Sequence, residues 1–168
     1  MMKLILSLFF VCTLNLPLSL LAGKAHQHGA AELTLAPQAN ALTITLHSAA
    51  DNILGFEHEP RTDRQKETKQ KAEAILKTQI SDLFSLPTDL NCQWKVDRFE
   101  DGSSTKPDSH HRDYAIQWSA QCKKPLPQTL IINLGNSFPR IHKLSVVVLG
   151  ESGQKSLKLK NATGEINL

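Results

Sequence analysis

The stretch Tyr114-Ala115-Ile116-Gln117-Trp118-Ser119-Ala120-Gln121-Cys122 decides the fold. Its large apolar side chains recur at every second position, which is the period of a half-buried strand. Cys92-Gln93-Trp94-Lys95-Val96 alternates in the same sense. Pairing the two segments antiparallel with Cys92 opposite Cys122 sets Trp94 across from Ala120 and Val96 across from Trp118, so the apolar faces agree in register. Opposed residues in such a ladder have Cα atoms about 4.5–5.5 Å apart, within reach of a disulfide. The connection runs through Asp101-Gly102-Ser103-Ser104-Thr105-Lys106-Pro107-Asp108-Ser109-His110-His111. A Cys92–Cys122 bridge therefore clamps the base of a hairpin whose tip carries two histidines. A Cys/Cys metal site is the alternative use of the same thiols.

Compartment and size follow from the first residues. Lys3 precedes the apolar run Leu4 to Leu21, and Gly23 and Ala25 supply small residues for cleavage before His26. Residues 1–25 read as a signal peptide; a transmembrane anchor is the competing use of such a run. Without them, 17 basic side chains face 16 acidic ones, a net charge near +1. That balance gives no electrostatic reason to bind nucleic acid or a membrane surface. Residues 26–168 suit a single domain with a core of mainly Leu, Ile and Val. An exported chain with an even pair of cysteines fits an oxidising compartment, and the mature chain is not expected to span a membrane.

Outward from the hairpin, Ala31 to Ala36 and Ala41 to His47 alternate around the turn Pro37-Gln38-Ala39-Asn40. Thr62 and Gln65 form a capping box that opens a helix to about Lys77, with Ala72, Ile75 and Leu76 on its buried side. Ser81 to Leu86 reads as a short helical turn before Pro87. Strands are expected at Thr129 to Leu134, Ile141 to Leu149 and Ser156 to Lys160, with turns at Gly135 to Pro139 and Gly150 to Gly153. The class is α+β: mostly antiparallel sheet, one main helix after the first hairpin, and no βαβ alternation.

Seven histidines remain to be explained. Neutral imidazole is the commonest ligand for borderline metals such as zinc. His28 shares a strand face with Glu32, opposite Leu33 and Leu35, so a carboxylate lies two pleats from an imidazole. His58 sits in Gly55-Phe56-Glu57-His58-Glu59-Pro60, where Phe56 can anchor the loop and Pro60 fixes its exit. Glu57 flanks it as a further donor. His110 and His111 point to opposite faces if extended, so one or both can join a given site. His26, if cleavage leaves it first, gives a free amine with histidine at the third position, which can chelate Cu(II) or Ni(II). His47 and His142 read as surface or structural residues.

Taken together, His28-Gly29-Ala30-Ala31-Glu32-Leu33, Ser48 to Asn52, Gly55-Phe56-Glu57-His58-Glu59-Pro60, Leu83-Phe84-Ser85-Leu86-Pro87, the two cysteine strands and Phe138-Pro139-Arg140-Ile141 resemble the ZrgA-like periplasmic zinc-uptake proteins. The resemblance implies a zinc-binding protein working beside a membrane ABC importer, with His28 and His58 as site residues and more histidine from the loop between the cysteine strands. Relatives commonly carry a long His/Asp-rich tract there; this chain has Asp108-Ser109-His110-His111-Arg112-Asp113. One ordered zinc site is expected, built from His28, His58 and one or both of His110 and His111, with Glu32 as ligand or supporting carboxylate. No acid/base constellation beyond these ligands points to an enzyme. An exported interaction module without metal, or a Cu/Ni-handling protein, is the alternative.

Overall fold

The computed structural model describes residues 28–102, 112–151 and 153–168. The signal-peptide reading of residues 1–25, His26 and the pair His110-His111 lie outside them. In chain order the elements are β1 (Ala30–Gln38), β2 (Ala41–Ala49), α1 (Ala50–Leu54), α2 (Asp63–Thr78), α3 (Ile80–Leu83), β3 (Phe84–Ser85), β4 (Gln93–Glu100), β5 (Asp113–Gln121), β6 (Thr129–Ile132), α4 (Leu134–Ser137), β7 (Lys143–Gly150), β8 (Gly153–Lys160) and β9 (Gly164–Asn167). They form a six-stranded sheet in the order β4-β5-β2-β1-β7-β8 and a three-stranded sheet β3-β6-β9.

The alternating segments pair as their periods require. Leu33 faces Leu46 and Leu35 faces Ile44 across β1–β2. Trp94 faces Ala120 and Val96 faces Trp118 across β4–β5, and Cys92 is bonded to Cys122. A bulge between Val96 and Arg98 then shifts the ladder by one residue and keeps Phe99 opposite the buried Ile116. The inner face of the large sheet (Leu33, Leu35, Ile44, Leu46, Ile116, Trp118, Leu144, Val146) is fully buried. α2 and the small sheet cover it. Thr62 and Gln65 make the capping box that starts α2. Leu76 is buried, and its carbonyl accepts a 2.8 Å hydrogen bond from the Trp118 indole. Phe84 meets Trp118 edge to face at 5.3 Å.

Several boundaries differ from the sequence expectation. β6 stops at Ile132, and Leu134–Ser137 is a helical turn, not part of a strand and a loop. The reason is close packing: a Cβ on Gly135 would stand 1.7 Å from the Asn161 carbonyl oxygen, so the chain coils tightly against its neighbour there. The expected helical turn Ser81 to Leu86 is α3 followed by β3, because Phe84 and Ser85 pair with Ile132 and Ile131. α1 and β9 were not anticipated; both are too short for a periodic signal. β1 and β7 are parallel, the exception in an otherwise antiparallel pair of sheets.

Candidate metal-binding site

The site is assembled where β1 begins, where β2 runs into α1, and where the chain enters β7. Asn52, buried on α1, is the organising residue. Its side-chain oxygen accepts from the Gly29 amide at 2.6 Å, and its amide nitrogen donates to the Ala30 carbonyl at 2.7 Å and to Ser48 Oγ at 3.2 Å. Gly29 takes φ +77°, and a Cβ there would stand 2.9 Å from His142 Cδ2. Its carbonyl accepts from the amides of His142 and Lys143, each at 2.9 Å. Strand β1 is thus pinned at its first residues, and the His28 side chain leaves from a fixed point.

That imidazole lies between two carboxylates. Nδ1 is 3.3 Å from Asp51 Oδ2, and Nε2 is 3.5 Å from Glu57 Oε1. Gly55 ends α1 in a left-handed conformation (φ +84°), which turns the chain back so that Glu57 comes round to His28. Asp51 is held from the far side by Arg140. Nη2 reaches both carboxylate oxygens, at 3.0 and 2.9 Å, and Nε donates to the Asp51 carbonyl at 3.0 Å. Burial pushes the Asp51 carboxyl up, but the hydrogen bonds from Arg140 and His28 outweigh it and leave it below the ordinary carboxylate range. His28, Gly29, Asp51, Arg140 and His142 line an open recess of about 340 Å³.

His58 is placed by different contacts. Its ring stacks on Phe56 at 5.2 Å. Nδ1 is 2.8 Å from the Glu59 carbonyl, and Nε2 is 3.4 Å from Gln65 Nε2. Gln65 spends its side-chain oxygen on the amides of Arg61 and Thr62, so its nitrogen is the atom left facing the imidazole. An amide nitrogen only donates. His58 therefore carries its proton on Nδ1, donated to the Glu59 carbonyl, and its Nε2 lone pair accepts from Gln65, a contact that a metal ion would replace. Such a tautomer is ready to ligate.

Glu59 also ties this corner to the hairpin. Arg112, nearly buried, forms an ion pair with Glu59 and donates from Nε to the Gly102 carbonyl at 2.7 Å, while its own carbonyl accepts from Ala50 at 2.7 Å. Gly102 and Arg112 bound the stretch 103–111 that carries His110 and His111. At the other side of the stem, Lys69 on α2 holds Asp101 at 2.6 Å.

The structure brings His28 to Glu57 and places His58 next along the chain, turned toward α2. Glu32 is exposed on the outward face of β1, opposite His47 on β2 and Ser145 on β7. His28 precedes β1 across the left-handed Gly29, so the strand face expected to carry both His28 and Glu32 does not form, and the His28 ring turns to Asp51 on α1. Among the described residues, no group of three or more His, Cys, Asp or Glu side chains stands ready to hold a metal ion. Sequence reading missed Asp51, Arg140 and the recess position of His142. The signal available was slight: an acid beside Asn52 and a base after Pro139, both in segments without periodicity.

A family model described as ZrgA family zinc uptake protein matches residues 25–168. The chain belongs to the ZrgA family. No curated protein matches it. Among the described residues of the chain, the corner at His28 sets an imidazole beside the carboxylates of Asp51 and Glu57. Among its described residues no helix is long and apolar enough to cross a membrane.

Proposed function

We propose that this ZrgA-family protein is an exported, periplasmic carrier that captures one Zn2+ and hands it to an ABC-type importer, and that it is not an enzyme. One observation carries the site. A neutral imidazole has a single N–H, yet both nitrogens of His28 face carboxylates, Asp51 at 3.3 Å and Glu57 at 3.5 Å. Such a ring is satisfied either as an imidazolium or with a cation between Nε2 and Glu57. Zinc supplies that cation, with nitrogen and oxygen ligands at about 2.0–2.2 Å. His58, held in the ligating tautomer beside Glu57, is the nearest further donor along the chain. Arg112, whose guanidinium binds Glu59, directly follows His111 in the sequence, and His110 and His111 are included in the proposed ligand set as further donors. Glu32 is left out of this ligand set because of its position along β1.

Cargo binding through ligands from separate chain segments suits release, since withdrawing one segment removes a ligand without unfolding the others. Titration calorimetry with Zn2+ tests the reading. Wild type should bind about one equivalent, and His28→Ala, Glu57→Gln and His58→Ala should each weaken it at least tenfold. Equal affinities across the set would remove the site. A metal-free interaction module is the second reading, favoured by the contacts that already engage both His28 nitrogens; failure of wild type to bind zinc selects it.

A further inference from the structure

Resting on that zinc reading, we propose that Asp51 and Arg140 are positioning residues: Asp51 holds the Nδ1 proton of His28 so that Nε2 points at the metal, and Arg140 keeps Asp51 from ligating. The geometry distinguishes the two carboxylates around the ring. Glu57 reaches His28 Nε2 at 3.5 Å from the loop after Gly55. Asp51 lies on α1, is the closer of the two, and accepts two hydrogen bonds from one guanidinium nitrogen at 3.0 and 2.9 Å. A third bond, from Arg140 Nε to the Asp51 main-chain oxygen at 3.0 Å, fixes the guanidinium to the helix itself. Both carboxylate oxygens of Asp51 are thus engaged by a guanidinium that is also bonded to the helix backbone, and Oδ2 is in addition the atom facing Nδ1.

This arrangement sets the roles. A metal-bound imidazole gains basicity and a fixed plane when its other nitrogen donates to a carboxylate. Asp51 is the group placed to accept that proton. Guanidinium is charged at every relevant pH and its fork matches a carboxylate. With Arg140 on it, Asp51 would have to give up two charge-assisted bonds to enter the coordination sphere. Glu57 is then the carboxylate that faces Nε2, on the proposed metal's side of the ring. Gly29 makes the arrangement possible, because any side chain there would meet His142 and displace the start of β1.

Two readouts on the full chain test the assignment. In protein carrying 15N-labelled histidine, held metal-free near pH 8, the His28 ring should be the Nδ1–H tautomer in wild type and in Asp51→Asn, which keeps an acceptor oxygen. It should become a mixture in Asp51→Ala. Zinc affinity by calorimetry should fall about 10–100-fold in Asp51→Ala, less in Asp51→Asn, and in the same direction in Arg140→Gln, which keeps the Asp51 carboxylate itself. Unfolding curves establish that each variant is native. A folded Asp51→Ala with wild-type tautomer and wild-type zinc affinity overturns the proposal. Wild type that binds no zinc, with the tautomer changing as stated, instead defeats the carrier reading and leaves the orienting contact standing.

Discussion

Replacing both Cys92 and Cys122 by alanine separates what holds the fold from what forms the site. The bridge joins residues 30 apart in sequence. In the chain-entropy treatment, closing a loop of that length removes enough freedom from the unfolded chain to stabilise the folded state by about 3.6 kcal/mol. With a urea slope of about 2 kcal/mol per molar for a domain of this size, the unfolding midpoint should drop by nearly 2 M. The location predicts what should not change. Cys122 follows the last residue of β5 and its amide binds Asn40 at the far turn, whereas Asp113 starts β5 beside Ala49 and α1. Nine residues of strand, roughly 30 Å, lie between the bridge and the His28 corner. Urea unfolding followed by tryptophan fluorescence should show the lower midpoint at pH 7, and dithiothreitol should reproduce it in wild type. Zinc titration of the native double variant should match wild type within a factor of two. A midpoint shift corresponding to less than 1 kcal/mol, or two free thiols in the oxidised wild type, would refute the reasoning; a large loss of zinc affinity would refute the separation of bridge and site.

Gly29→Ala should destabilise by about 1–2 kcal/mol from the left-handed backbone alone, and more as the new methyl displaces His142; thermal unfolding measures it. Asp51 has a folded-state acidity stronger than in the unfolded chain, so its contribution to stability is present above the ordinary aspartate range and is lost as pH falls through its lowered folded value. Urea midpoints between pH 5 and 3 should therefore fall less steeply in Asp51→Asn than in wild type, and equal slopes would contradict the Arg140 clamp. Thr62→Ala removes the side chain that accepts from the Gln65 amide at 3.3 Å. It should cost about 1 kcal/mol and, through Gln65, loosen the contact that sets the His58 tautomer, visible in the ring 15N shifts.

Much of this architecture was legible along the chain. The two-residue period of Tyr114 to Cys122 names its buried face whatever the strand packs against, and the cysteines then leave one register for β4 on β5. Thr62 and Gln65 announce the start of α2 because capping is local chemistry between residues three apart. His28, Glu57 and His58 were recognisable as candidate donors by residue type. Other features were out of reach for a common reason. Sheet order, the parallel pairing of β1 with β7 and the helical turn at Leu134 depend on which surfaces meet, and periodicity carries no direction or partner. Arg140 acts on Asp51 from 89 positions away. His28 and Glu32 do not share a strand face as their spacing suggests, because the left-handed Gly29 turns the chain before β1 begins at Ala30, and the turn at Gly55 delivers Glu57 to the imidazole instead. The sequence alone determined which side chains can ligate and which faces are buried, since both follow from chemistry within a few residues. Tertiary packing alone decided which carboxylate stands at which nitrogen, since that is a matter of ångströms between segments the chain places far apart.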